Sequence, residues 1–352
     1  MTSSANFSSD NVTGAAPEIL EALLRANAGP QTAYGADEAS RRLETRIAEV
    51  FECEVGVLPV ATGTATNALS LSIASPPYGV TYCHQRAHIN VDECGAPEFY
   101  SSGGKLVTLP GAGAKLTPET LAPAITGAGD VHHPQPAAVS ISQASELGTI
   151  YRPDELAALS EVARRHDLVL HMDGARFANA LVALGVSPAA MTWQAGLDIL
   201  SFGATKNGAF AAEAVLLFGR MRDKLEELRY RRKRGGHLVS KGRLLSVQLE
   251  AYLADDLWLR SARHANAMAK RLSEGLTALP GAALLYPVEA NMIFARLPAP
   301  VIEGLRAEGH RFYDWGGPNE VRLVTAFCTT EPEVDGFLAT ARRHAGAEAA
   351  AE

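Results

Sequence analysis

Apolar residues along the chain fall into two spacings, and the two alternate. PEILEALLRANAG (17–29) and EASRRLETRIAEVFE (38–52) repeat apolar positions at helical intervals, with the turn-rich QTAYGADE between them. Short apolar runs then alternate with helical stretches. GVLPVA (56–61), VTYCH (80–84), KLVTL (105–109), AAVSIS (137–142), LVLHMD (168–173), DILSFG (198–203) and EAVLLF (213–218) read as strands. GTATNALSLSIAS (63–75), HINVDECGAPEFYSSG (88–103), TPETLAPAIT (117–126), RPDELAALSEVARRHD (152–167) and ARFANALVALG (175–185) read as helices, the third opened by Thr117 as cap and Pro118 at the first position.

This order predicts an α/β fold: a mostly parallel, seven-stranded sheet with helices on both faces. From about Ser240 one long helix is expected to run to Leu279. AALLYPV, ANMIFARL, RFYDW and EVRLVTA follow as strands, with EGLRAEG and PEVDGFLATARRHAG as helices. That pattern predicts a smaller α+β C-terminal domain, with the division near 250: residues 1–250 and 251–352. Residues 1–15 are expected to be irregular, and the tail AGAEAAAE to fray.

Composition narrows the class. Apolar residues make up 47% and charged residues 20% of 352, ordinary values for a globular protein. The net charge of -7 opposes a nucleic-acid partner, which requires a basic face. No apolar run approaches the length of a membrane span, so no membrane partner is expected. MTSSANFSSDN lacks the layout of a signal peptide, which makes the cytoplasm the expected compartment. Cys53, Cys83, Cys94 and Cys328 are scattered, without a C-x-x-C pair. They read as reduced thiols, and no metal site is expected.

Ligands of a parallel sheet bind beyond the carboxyl ends of its strands, so the unusual residues are sought there. ATGTATN (61–67) joins a strand to a helix. It is either a phosphate cradle or a plain capped turn. Asp173 ends the apolar strand LVLHMD. It either caps the next helix or pairs with the ring nitrogen of pyridoxal phosphate, whose protonated ring is an electron sink. Arg176 stands one turn further, where its fork could reach a cofactor or a carboxylate. Lys206, in SFGATKNGAF, lies 33 residues after Asp173 at the end of the next strand. Taken alone it is a solvated lysine; together with Asp173 and the anion turn it becomes a Schiff-base amine. His88 can stack on a ring or act as a base, or simply satisfy a hydrogen bond at a helix start. His132 and His133 form a turn-exposed pair. Arg322, inside a strand, is either a clamp for a substrate carboxylate or a salt-bridge partner. RYRRKRGGHLVSKGR (229–243) is a basic helix end or a phosphate contact across a dimer interface.

FSSDNVTG, AYGADEASRRLE, ATGTATN, HINVDECGAPEF, HMDGAR, SFGATKNGA and VRLVT together resemble the low-specificity L-threonine aldolases. These are pyridoxal-phosphate enzymes of the β-eliminating lyase group, with the aspartate-aminotransferase type of fold. The resemblance covers nearly the whole chain, in family order. It implies that Lys206 carries the cofactor, Asp173 binds the pyridine nitrogen and Arg176 the ring hydroxyl. Gly63 and Thr64 would hold the phosphate, and His88 would stack on the ring. Ser9 and Arg322 would hold the substrate carboxylate, and His132 would face the substrate hydroxyl, with His88 or His132 handling its proton. Lys233 and Lys241 would reach the phosphate of a neighbouring subunit, which implies a homodimer or homotetramer. The implied reaction is aldol cleavage of β-hydroxy-α-amino acids to glycine and an aldehyde. The departures are ATKNG for the more usual SKG-type block, SDN for SDT, and Lys241 where many relatives have arginine. Two other readings stay open: another pyridoxal-phosphate lyase or aminotransferase, and a non-catalytic protein that binds a phosphorylated ligand.

Overall fold

The computed structural model describes residues 4–349. Seven strands form the first sheet: β1 (Gly56–Val60), β2 (Gly79–His84), β3 (Lys105–Leu109), β4 (Gln135–Ser142), β5 (Val169–Gly174), β6 (Ile199–Gly203) and β7 (Glu213–Leu217). Their order is β1-β7-β6-β5-β4-β2-β3, and only β7 runs against the others. Strands with both faces covered are mostly apolar, and β5, β6 and β7 are buried along their whole length, their few polar residues included. The largest core cluster packs Phe51, Phe177, Phe202, Tyr252 and Trp258 against one face of this sheet.

A second sheet of four strands follows: β8 (Ala283–Leu284), β9 (Met292–Arg296), β10 (Tyr313–Asp314) and β11 (Glu320–Val324), in the order β10-β11-β9-β8, all antiparallel. The helices Leu257–Thr277, Ala299–Ala307 and Glu331–Ala349 contribute to its core. Ala5 and Phe7 join that core too, and Asn6 makes a bridge to Arg311. This return of the N-terminus to the second sheet brings Ser8, Ser9 and Asp10 over the first.

Several helices are shorter than their periodicity predicts. Residues 88–103 form two short helices, His88–Val91 and Ala96–Tyr100, because Cys94 and Gly95 take positive φ between them. Residues 117–126 give only Pro118–Leu121, with Thr117 as the expected cap and Thr120 completing a capping box, then a 3₁₀ turn containing Pro123, which has no N–H to continue the helix. The expected long helix splits into Arg243–Leu253 and Leu257–Thr277 at Asp255 and Asp256, both in the left-handed region that aspartate tolerates. The tail departs in the other direction. Alanine and glutamate are good helix formers, and the last helix continues through Ala349; residues 350–352 lie outside the described part.

Candidate active site

Asp173 ends β5 beside Ser201 of β6, so the parallel register sets it next to the turn that follows β6. That turn, the 3₁₀ segment Thr205–Asn207, carries Lys206. Both sides of the turn are tied down. Asn207 Nδ2 donates to Tyr252 Oη and to the Trp258 carbonyl, each at 2.8 Å. The buried Glu213 carboxylate accepts from the Ala204 N–H at 3.1 Å and the Thr205 N–H at 3.3 Å. Burial pushes the Glu213 carboxyl up to about 7.

Asp173 is 8% exposed. Its Oδ1 accepts from the Ala175 N–H at 3.0 Å, and its Oδ2 from Asn67 Nδ2 at 2.8 Å. Burial works to raise this carboxyl, but the Lys206 ammonium and these donors outweigh it and hold it below the usual range. Asp173 is therefore a fixed anion. The other hydrogen of the Asn67 amide goes to Glu93 Oε1 at 2.7 Å, and the same oxygen pairs with His88 Nδ1 at 2.8 Å. The Glu93 bond raises the His88 value despite desolvation, while burial raises Glu93. His88, Glu93 and Asp173 offer atoms within 4.8 Å of one another, a spacing a metal could use. The Asn67 amide already bridges the two carboxylates, so hydrogen bonding accounts for the group.

The helix Gly63–Ala74 points its N-terminus at the same place. Thr62 Oγ1 accepts from the Ala65 N–H at 3.2 Å. The Gly63 and Thr64 amides precede the first helical acceptor and are free for an anion. Nothing stands within 4 Å of where a Cβ on Gly63 would be. Thr62 is thus the helix cap, as the capped-turn reading of ATGTATN expects, and the cap does not use the Gly63 and Thr64 amides that a phosphate cradle would need.

These groups surround a cavity of about 260 Å³ whose walls include Gly63, Thr64, Asn67, Asp173, Lys206 and Glu213. A chamber of about 710 Å³ adjoins it, with Ser9, Arg86, Tyr313, Trp315 and Arg322 in its walls. Arg322, on β11, lends Nη1 to the Ser8 carbonyl at 3.3 Å and has no carboxylate partner among the described residues, which removes the salt-bridge alternative. Ser9 Oγ accepts from the Asn11 N–H at 3.1 Å. Arg176 is buried, and its fork is closed on Asp10 by bonds of 2.7 and 2.9 Å. Asn291 Nδ2 reaches the same carboxylate at 3.1 Å.

Three expected residues stay outside this cleft in the single chain. His132 lies on an exposed turn before β4, at the amino end of the sheet, where Asp130 Oδ1 accepts its N–H at 2.9 Å. Strand direction decides this: parallel strands present their carboxyl ends to the cleft, and His132 precedes its strand. Lys233 lies in the last turn of the helix Leu225–Arg234 with Nζ 5.3 Å from the Tyr34 ring centre, and Lys241 is exposed in the following turn. Sequence reasoning missed Asp10, Asn67, Glu93, Glu146, Asn207 and Glu213. Asp10, Asn67, Glu93 and Asn207 stood within motifs already singled out, without a role assigned; Glu146 and Glu213 carried no local signal.

The donor set fits pyridoxal phosphate. Free helix amides suit its phosphate, a buried anion suits a pyridinium N–H, and an amine between them suits its aldehyde. The β-eliminating lyase family profile matches residues 6–299. A low-specificity L-threonine aldolase of Pseudomonas sp. is 44% identical over 340 residues, covering 96% of this chain and 97% of that one. A threonine aldolase structure from Leishmania major superposes with a TM-score of 0.90 at 31% identity, over 97% of this chain and 99% of the other. An Escherichia coli protein with a methionine aminotransferase function shares the fold alone, at a TM-score of 0.73 and 10% identity over 97% and 93% of the two chains. The chain therefore belongs to the β-eliminating lyase family and, within it, to the pyridoxal-phosphate-dependent low-specificity L-threonine aldolases.

Proposed function

We propose that this chain cleaves L-threonine, L-allo-threonine and related β-hydroxy-α-amino acids to glycine and an aldehyde. The observation that carries the reading is the convergence of Lys206, Asp173 and the Gly63–Thr64 helix start on one cavity that adjoins the chamber of Arg322 and Ser9. Bound there, the cofactor supplies an electron sink for the pair released when the Cα–Cβ bond breaks.

The residues have separate tasks. Lys206 anchors the cofactor, and Asp173 holds the ring proton because it is itself held as an anion. The Gly63 and Thr64 amides bind phosphate. His88 covers the ring, its orientation fixed by Glu93. Arg322 and Ser9 take the substrate carboxylate, which sets the Cα–Cβ bond for cleavage. Arg176, locked by Asp10, adds fixed positive charge at the boundary between cavity and chamber. Lys233 and Lys241 reach the phosphate of a neighbouring subunit in a homodimer or homotetramer; the exposed Tyr34 and Tyr230 on the same face support such a contact.

The test is an aldehyde assay with L-threonine and L-allo-threonine. Acetaldehyde and glycine are expected from both, and a keto acid in place of aldehyde refutes the reading. Lys206→Ala is expected to abolish both aldehyde release and the borohydride-trapped cofactor adduct.

A further inference from the structure

Five residues line both the inner cavity and the outer chamber: Asn11, His88, Glu146, Arg176 and Lys206. A substrate held by Arg322 and reacting beside Lys206 has its β-hydroxyl among them. Aldol cleavage needs an acceptor for that hydroxyl proton. Asn11 is a neutral amide. Arg176 is a cation paired with Asp10, and Lys206 is committed to the cofactor. His88 Nδ1 is held by Glu93, and that bond raises the ring's value and so favours the form that already carries the proton; Nε2 lies 3.6 Å from the Asp92 carboxylate.

Glu146 differs from all four. Its carboxyl group makes no hydrogen bond or ion pair among the described residues. Yet its backbone is held firmly. The Ser145 N–H donates to the Thr149 carbonyl at 2.8 Å, and the Gly148 N–H to the Ser145 carbonyl at 2.9 Å. Ser145 Oγ donates to the Gly113 carbonyl at 2.8 Å. A tightly tied turn thus presents an unpartnered carboxyl to the boundary of the two spaces. The charged groups near it are Asp173 on β5, Lys206 after β6, Arg176, His88 and, from the second sheet, Arg322 on β11.

We propose that Glu146 is the catalytic base that takes the β-hydroxyl proton of the substrate. The inference rests on the aldol reading above. In the step, a Glu146 carboxylate oxygen bonds to the hydroxyl hydrogen. The O–H pair becomes the second C–O bond of the aldehyde, and the Cα–Cβ pair stays with the glycine carbon, which afterwards gains a proton. No oxidant or reductant enters. Desolvation, and then the Asp173 charge, raise the Glu146 carboxyl above its ordinary value. Cleavage should accordingly fall as pH drops through that raised value, because the acceptor becomes occupied.

The experiment compares the wild-type holoenzyme with Glu146→Gln and Glu146→Asp. For Glu146→Gln, kcat for L-threonine cleavage should fall about 100-fold or more, the range for losing a general base, with KM little changed. The acidic limb of its pH profile should vanish, and Glu146→Asp should recover part of the rate. Exchange of the glycine α-proton in D₂O, followed by NMR, should persist, because glycine has no β-hydroxyl to deprotonate. Unchanged cleavage in Glu146→Gln overturns the proposal. So does a parallel loss of cleavage and glycine exchange, which marks a structural role. A wild type that exchanges glycine but releases no aldehyde refutes the aldol reading itself, and the proposal with it.

Discussion

Asp10 and Arg176 are the most consequential pair of single residues outside the reacting groups. Both are buried, and their contact is bidentate. Removing one partner of such a pair leaves an uncompensated charge and costs about 3–5 kcal/mol. Asp10→Ala should therefore lower the melting temperature markedly at neutral pH. Burial alone would raise the Asp10 carboxyl, but Arg176 and Lys206 hold it below its ordinary 3.8. A depressed carboxyl contributes stability above its unfolded value and loses it as pH falls through the folded value. The difference between wild type and Asp10→Ala should thus narrow below pH 3.8 in thermal melts. Nothing near Asp10 in the sequence announces this pair, since Arg176 lies 166 residues away. Lys206 was more legible. One cation among small and aromatic residues after an apolar strand implies a task, and Asp173 on the preceding strand narrows it.

At the scale of elements, the site depends on how closely β5 and β6 end together. A Cβ on Gly203 would stand 2.6 Å from Ala175 Cα and 2.9 Å from the Ala175 carbonyl oxygen. Both are backbone atoms and cannot yield as a side chain can. Gly203→Ala should push the Lys206 turn away from Asp173 and weaken cofactor binding, measured as near-visible absorbance on titration with pyridoxal phosphate. Wild-type affinity in this variant would show that the two strand ends have slack. The elements were largely readable because helical and strand periodicities depend on residues a few positions apart. Their breaks were less readable. Pro123 interrupts the 117–126 stretch because it has no N–H to continue the helix, and Asp255 and Asp256 break the later helix by taking positive φ, which no local spacing announces.

At the scale of the molecule, the cleft is assembled from both sheets. Lys206 and Asp173 come from the first, Arg322 from the second, and Ser9 from the N-terminal segment that returns between them. Arg322→Ala should raise KM for L-threonine while the cofactor absorbance stays as in wild type, since Arg322 lines the chamber and not the cofactor cavity. A KM unchanged by this substitution would remove Arg322 from substrate binding. No helix of the described residues is long and apolar enough to cross a membrane. By itself the sequence determined the alternation of strands and helices, the strand-end positions of Asp173 and Lys206, and the capped turn before the Gly63–Ala74 helix. Each follows from local spacing, capping and composition. Only the tertiary structure decided that Asn67 bridges Asp173 and Glu93, that Asp10 locks Arg176, that Glu146 faces the cleft without a partner, and that His132 does not reach it. Those outcomes depend on which side chains meet after chain closure, as Asn67 and Asp173 do across 106 residues, and on which end of a strand a residue occupies.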